Sequence, residues 1–431
     1  MPGRLNTIQK SMLQWNEMHP YSAVHVAQIR GALDAAGLRD SINSAVAKHG
    51  LTRLLLDCAR FTFQYETGPA DCEVRTILGD EGSWSTLQAE IERQLNLPFD
   101  HLGPFNPFRF LVAPATDSFL LGVVYFHPAA DAESVVWLLR DIVTCYRERG
   151  AWASRDCLEL YPDSRAHLLR HPLLVARKLL SLPAQIRNLR HSHRAAYRDA
   201  NDMANGFLCF SLGPEDLRSL VTAATSWDVT VNDLLMALQM KSLSPCSALR
   251  AQACKRGAIS LGCIVNLRKD LGLDSRPVFG VFLGSFTVTH KVPPGISLRE
   301  LAADLARRTA PIKRHRLYLA SPLELGFARF MFRFFSPRRQ KKFYAKHYPL
   351  WGGITNMNLN PLWAPSDPHG PLDYFRAVST GPVTPLVLSV TTVGERVNLG
   401  VSYRTTVFAK PDIEDLQSRF REHLEETRQR L

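Results

Sequence analysis

The chain has 431 residues, of which 45% are hydrophobic and 21% charged, and its formal net charge is +12. Such a composition excludes collagen-like and disordered chains, and no run of about 18 apolar residues predicts a transmembrane helix. The length favours two domains of about 200 residues each. The excess of cations is compatible with an anionic partner (a membrane, a cofactor phosphate or an acidic carrier protein) and equally with solvated faces. Because no nucleic-acid-binding motif is present, nucleic acid is not expected.

The cysteines do not have the spacing of a metal site or a redox motif. Eight are spread along the chain without a CxxC pair, and no Cys/His cluster has zinc spacing. The chain begins MPGRLNTIQK, without an apolar signal core. We therefore expect reduced thiols, no metal, and a cytoplasmic protein.

The first part of the chain alternates between helical and strand periodicity. Helices are predicted over 5–15, 38–50 and 83–99, with Ser83 as an N-cap of the third. Strands are predicted over 22–33, 51–66 and 108–127, the last interrupted by a turn at 114–117. The next helix is expected to begin near Ala132.

A basic segment divides the sequence. From Ser164 to Asp199, Arg, Lys and His alternate with leucines at helical spacing, which predicts an amphipathic crossover. Strands and helices alternate again beyond it, and Thr230 is the expected cap of one helix. We therefore divide the chain into an N-terminal half (1–163), a linker (164–205) and a C-terminal half (206–431), both halves mixed α/β.

The candidate catalytic residues are His127 and Asp131. Pro128 ends the preceding strand, so His127 occupies a junction from which an imidazole can project into a cleft as a general base. The alternative is a half-exposed histidine before a helix that Asp131 caps. A second HxxxD match, His369 to Asp373, lies among prolines and glycine and is interpreted as loop.

Several stretches in order resemble the condensation-domain superfamily, which includes peptide-synthetase condensation domains, BAHD acyltransferases and chloramphenicol acetyltransferase. The family's HHxxxDG motif is similar to residues 126–132, where Phe126 replaces the first histidine and Ala132 the glycine. The other similar blocks contain Gln9, Arg109, Asn266, Arg268, Gly280 and Ser285.

The resemblance implies a fold of two chloramphenicol-acetyltransferase-like halves, a V-shaped pseudo-dimer with a central tunnel. It also implies acyl transfer from a phosphopantetheine thioester, on coenzyme A or an acyl carrier protein, to a hydroxyl or amine acceptor, either a small molecule or a lipid. His127 would be the general base, and Asp131 would pair with Arg268. No tightly bound cofactor is expected. Oxyanion or tunnel candidates are Ser285, Asn356 and Asn358.

A second basic segment alternates phenylalanines with six Arg/Lys between Arg329 and Lys342. Arg338, Arg339, Lys341 and Lys342 are candidates for binding the donor, since they would attract a phosphate or an acidic carrier. The same pattern is typical of an interfacial anchor at a membrane surface. Two alternatives to the enzyme therefore stay open: a catalytically silent homologue that binds carrier protein or lipid, and a basic membrane-surface protein.

Overall fold

The computed structural model describes residues 2–77, 84–148, 157–162, 172–199, 201–246, 256–274, 276–332, 334–336, 339–340 and 342–428. The predicted cap Ser83 lies outside these residues. The helices are α1 (Thr7–Asn16), α2 (Ala35–Lys48), α3 (Trp84–Asn96), α4 (Ala132–Glu148), α5 (Pro172–His191), α6 (Pro214–Ser226), α7 (Val231–Leu243), α8 (Arg268–Leu271), α9 (Leu298–Arg314), α10 (Ser321–Phe332), α11 (Phe343–His347) and α12 (Lys410–Glu425), with a 3-10 turn at Leu317–Ala320.

The strands alternate with these helices in both halves. They are β1 (Pro2–Arg4), β2 (Ser22–Arg30), β3 (Arg53–Asp57), β4 (Thr62–Glu66), β5 (Glu73–Thr76), β6 (Phe108–Pro114), β7 (Ser118–Phe126), β8 (Glu159–Leu160), β9 (Asn205–Leu212), β10 (Ile259–Asn266), β11 (Val278–Phe279), β12 (Leu283–His290), β13 (Gly352–Asn358), β14 (Asp373–Val378), β15 (Leu386–Val393) and β16 (Arg396–Arg404).

Each half has its own sheet and its own core. The N-terminal sheet has the order β14-β2-β7-β6-β5, and the C-terminal sheet has the order β12-β10-β13-β15-β16-β9. Strands β2, β6 and β7 are buried along nearly their whole length, as continuous apolar runs predict for strands covered on both faces. Thr230 is the N-cap of helix α7, as predicted, and its side chain accepts from the Asp233 amide.

Two strand pairings cross between the halves that the sequence defines. Strand β14 belongs to the 206–431 segment, yet it pairs antiparallel with β2 in the N-terminal sheet. Strand β8 lies before the linker and pairs with β11 beyond it. Gly400 on β16 lets the β14 backbone approach, because a Cβ there would collide with the Arg376 carbonyl oxygen.

Helix α3 seals the free edge of the C-terminal sheet. Gln88, Glu92 and Asn96 follow one another at intervals of four residues, so they share one face of α3. Their side chains accept hydrogen bonds from the amides of Cys209, Phe207 and Asn205, at 2.8 to 3.0 Å. These contacts satisfy the unpaired N–H groups that an edge strand exposes and join the two halves.

The predicted helix of the basic crossover is α5, which is described from residue 172 onward. Residues 164–171 lie outside the described part. No helix in the described residues is long and apolar enough to cross a membrane.

Candidate active site

His127 stands directly after the last residue of β7, where the chain turns through Pro128. The turn is held from α1, because the Gln9 side-chain amide donates to the Pro128 carbonyl over 3.0 Å in a buried contact. The His127 amide itself donates to the Tyr21 carbonyl at 3.2 Å. The imidazole is therefore fixed by a strand on one side and a helix on the other, and it is 8% exposed.

The hydrogen bond of the ring determines its tautomer. Nδ1 lies 3.0 Å from the carbonyl oxygen of Ala130. A carbonyl only accepts, so Nδ1 carries the proton and the lone pair of the neutral ring is on Nε2. Burial lowers the pKa of His127 below its usual value, while the Ala130 carbonyl and Asp131 act in the opposite direction. The neutral form with a basic Nε2 is thus favoured at pH 7.

Aromatic rings line the imidazole on two sides. Tyr21 stacks on it with ring centroids 5.2 Å apart and planes 14° apart, and Tyr125 meets it edge-on at 5.6 Å. Behind them His25 Nδ1 lies 2.6 Å from the Tyr374 hydroxyl, and burial lowers the pKa of His25 well below its usual value. None of these residues is predicted from the sequence. Residues 369–373 are interpreted there as loop, although the aromatic and β-branched residues of DYFRAV, which forms β14, are a strand signal.

The Asp131 carboxylate has five hydrogen-bond donors. Oδ1 accepts from the Ser134 amide and hydroxyl and from Arg268 Nη2, at 2.9 to 3.0 Å. Oδ2 accepts from Arg268 Nη1 at 2.8 Å and from the Phe282 amide at 2.9 Å. Asp131 therefore caps α4, as the alternative interpretation expected, and it also binds an arginine. The half-exposed histidine of that alternative is not observed, because His127 is buried.

Arg268 lies in the C-terminal half and is 1% exposed. Its guanidinium meets Asp131 with two parallel hydrogen bonds, lies 3.5 Å from Glu133 through Nε, and stacks over the Phe282 ring at 4.7 Å. Burial opposes ionisation of Asp131, but the charge and hydrogen bonds of Arg268 outweigh it and hold the pKa of that carboxyl below its usual range. The predicted contact between Asp131 and Arg268 is present, and it ties the His127 turn to the other half.

The two departures from the family motif have structural accounts. Phe126 is fully buried and packs edge-on against Phe99 and Phe105, on the opposite side of the strand from His127. An apolar ring there fills the core. Ala132 is the first residue of α4, where alanine is a favourable helix former.

The predicted oxyanion and tunnel residues are not hydrogen-bonded to His127 in the described part of the chain. Ser285 is half-buried on β12, where its amide lies 3.3 Å from the Ser321 hydroxyl. Asn356 and Asn358 are exposed, and they alternate along β13 with Met357, which packs against the N-terminal core. In the described chain no hydrogen bond links the His127 ring to any of the three, so their assignment stays a prediction.

Of the four donor-binding candidates, Arg339 and Lys342 are described and exposed. Arg338 and Lys341 lie outside the described residues.

A cavity of about 780 Å³ lies between the halves beside the Asp131 network. Its apolar wall includes Leu267, Val281 and Phe282, and its other side carries Arg4 and Lys10. Further cationic and aromatic lining comes from the turn between β3 and β4, at Arg60 and Phe61. Two cations stack on the Phe61 ring: Lys10 Nζ lies 4.9 Å from its centroid and Arg329 Cζ lies 4.8 Å from it.

Neither a family model nor a curated protein matches this sequence. Solved structures do match. The cyclization-docking bidomain of the EpoB peptide synthetase from Sorangium cellulosum gives a TM-score of 0.71 at 14% identity, over 100% of this chain and 85% of that one. The first condensation domain of the calcium-dependent antibiotic synthetase, bound to a substrate analogue, gives 0.69 at 17% over 99% and 96%. The chain has the condensation-domain fold.

A third structure with this fold, the X-domain from teicoplanin biosynthesis, gives a TM-score of 0.63 at 15% identity, over 99% of this chain and 95% of that one. The predicted fold class, a pseudo-dimer of two mixed α/β halves, is confirmed. The central tunnel of the condensation-domain fold stays a prediction for this chain.

Proposed function

We propose that the chain is an acyltransferase that moves an acyl group from a phosphopantetheine thioester, on coenzyme A or a carrier protein, to a hydroxyl or amine acceptor. His127 is the general base. The observation that carries the proposal is the hydrogen bond from Nδ1 to the Ala130 carbonyl, which leaves the Nε2 lone pair for the acceptor.

The proposed step needs one base and no covalent enzyme intermediate. Nε2 of His127 takes the proton from the acceptor O–H or N–H as the acceptor oxygen or nitrogen attacks the thioester carbonyl. The tetrahedral adduct collapses with cleavage of the C–S bond, and the imidazolium returns the proton to the departing thiolate. The product is an ester or an amide, and the histidine ends in its starting tautomer.

The surroundings of His127 suit this role. Burial keeps the imidazole neutral, so the base form is present without a pH above 7. Asp131 is fully buried, and its oxygens accept hydrogen bonds from Arg268, Ser134 and the Phe282 amide. It therefore supports the turn and does not share the proton of His127. We assign Asp131 and Arg268 as positioning residues.

The cavity beside this network supports a thioester donor. Arg4, Lys10 and Arg60 on its lining supply the positive charge that a phosphate needs, and the apolar wall suits an acyl chain or the pantetheine arm. It borders Phe282, whose amide holds Asp131.

The test is transfer by the His127→Ala variant with an acyl-thioester donor and a mixture of alcohol and amine acceptors. We expect the rate to fall about 10²- to 10⁴-fold, the usual contribution of a general base. The matched control is His369→Ala in the second HxxxD sequence, where the ring pairs with Glu148 at 3.3 Å. Equal turnover by His127→Ala and the wild type would contradict the proposal.

The second candidate is a silent homologue that binds carrier protein or lipid. It is favoured by a neighbour of the same fold, the teicoplanin X-domain, which was solved in complex with OxyB. A wild type that binds an acyl-carrier protein but gives no product with any acceptor supports this candidate.

A further inference from the structure

Helix α5 carries leucines on the face that it turns to solvent. Its inner face packs through Leu174 and Leu189, which are 9% and 4% exposed. On the outer face Leu173 is 72% exposed and Leu180 is 80% exposed. A surface helix ordinarily places polar residues there, so the outer face of α5 is unusual.

Helix α10 has the same feature with larger side chains. Phe327 and Phe330 are 67% and 54% exposed, and Phe334, just beyond the helix, is 67% exposed. Their spacing of three and four residues places them on one side, and the rings of Phe330 and Phe334 touch edge-on at 5.2 Å. Ala328 and Phe332 form the buried side.

The two helices are neighbours. Lys178 on α5 and Glu324 on α10 form an ion pair of 2.6 Å whose side chains are 4% and 10% exposed. We call the exposed apolar residues of both helices the outer apolar face; it consists of Leu173, Leu179, Leu180, Ile186, Phe327, Phe330 and Phe334.

Cations surround this face. Arg177, Arg187 and Arg190 are exposed on α5, and neither 172–198 nor 325–348 contains an aspartate or a glutamate. Exposed apolar side chains interleaved with Arg and Lys are the pattern of a helix that lies in a membrane interface, with rings and leucines among the acyl chains and cations at anionic headgroups.

We propose that the outer apolar face docks the protein on an anionic membrane surface. A second copy of the chain is a poorer occupant, because it would bring a like-charged face against this one. An acidic carrier protein would neutralise the arginines but would leave the exposed phenylalanines and leucines without apolar partners. A lipid interface provides both the negative charge and the apolar layer.

The experiment is co-sedimentation of the full chain with vesicles of phosphatidylcholine alone or with about a third phosphatidylglycerol. We expect binding to the anionic vesicles that weakens with salt. The variant Leu180→Ser/Phe330→Ser should bind them about tenfold more weakly, and so should Arg187→Glu/Arg190→Glu. Matched controls are Leu102→Ser/Val221→Ser, exposed by 95% and 46% elsewhere, and Arg39→Glu/Arg218→Glu, exposed on α2 and α6.

Three results would overturn the proposal: no binding by the wild type at low salt, equal losses in test and control variants, or vesicle binding that survives both test variants while binding of an acidic carrier protein is lost. Thermal melts check folding, and the altered residues are all exposed. The measurement contains no donor or acceptor and is repeated with His127→Ala, so its outcome is independent of the acyltransfer proposal.

Discussion

Arginines serve opposite purposes at the junction of the two halves and on the outer face of α5. Arg268 is 1% exposed and contacts Asp131, Glu133 and Ser134. Arg187 is exposed on a helix that has no acidic residue within its bounds. The guanidinium group is thus desolvated and paired in Arg268 and hydrated in Arg187.

The difference shows which contacts position the candidate base and which are available to partners. A buried pair costs much desolvation and is destabilising when one member is removed, whereas an exposed cation interacts weakly with its own chain and strongly with external anions in low salt. Disruption of the junction should therefore change stability and geometry, and disruption of the outer cations should change binding.

The largest effect is expected from the junction. Asp131→Ala leaves Arg268 without its bidentate partner and α4 without its cap, at a cost of about 3–5 kcal/mol for one member of a buried pair. Denaturant unfolding measures this loss in the free energy of unfolding. The control Lys410→Ala removes an exposed pair with Glu414 at 4.0 Å, where about 0–1 kcal/mol is expected. Equal costs for the two variants would remove the distinction between the regions.

Introducing the first histidine of the HHxxxDG motif should be harmful. Phe126→His places a polar ring in the fully buried cluster of Phe99 and Phe105, at a cost of about 1–3 kcal/mol for an unpaired polar group, and should not raise turnover. Unfolding curves and initial rates check both statements. A more active variant would show that the position acts in catalysis and not in packing.

Charge reversal in the second basic segment should affect binding of the donor. Changing Arg338, Arg339, Lys341 and Lys342 to glutamate should raise the KM for a soluble thioester donor about tenfold at low salt and leave kcat nearly unchanged, because these cations attract but do not react. Added salt should reduce the difference, since exposed charges are screened beyond about 8 Å.

The control for this charge reversal changes four exposed cations elsewhere to glutamate: Arg39, Arg218, Arg299 and Lys410. If both sets raise KM equally, net charge and not this segment captures the donor. Unchanged kinetics with lost vesicle binding would assign the segment to the membrane.

The smallest effect is a shift in the acidic limb of the pH profile. Burial lowers the pKa of His127 below 6.5, so the neutral base form persists at lower pH. As the pH is lowered, kcat/KM should therefore decrease with an apparent pKa below 6.5.

The same pKa shift affects the free energy of unfolding. As pH falls below 6.5, the unfolded chain binds the proton first, so stability decreases between 6.5 and the pKa of the folded state. An acidic limb at or above 6.5 would contradict a buried base.

The sequence by itself determined the local elements and the candidate pair. Periodicity located most helices and strands, Pro128 fixed the turn after β7, and the order of the similar blocks gave the fold class. The elements and the turn are carried by residue type and spacing along a few turns or strands. The contact between Asp131 and Arg268 is different, because the two residues are 137 positions apart and only the family resemblance indicated the pair.

The tertiary structure decided everything that depends on residues distant in sequence. Strand β14 joins the sheet of the other half, α3 satisfies the amides of β9, and Tyr21 packs on His127 because β2 lies beside β7. No local pattern encodes such partners, since hydrophobic periodicity gives the buried face of an element but not the element that covers it. Exposure is likewise a property of the packed chain, and so the leucines of α5 were identified as an outer face only in the fold.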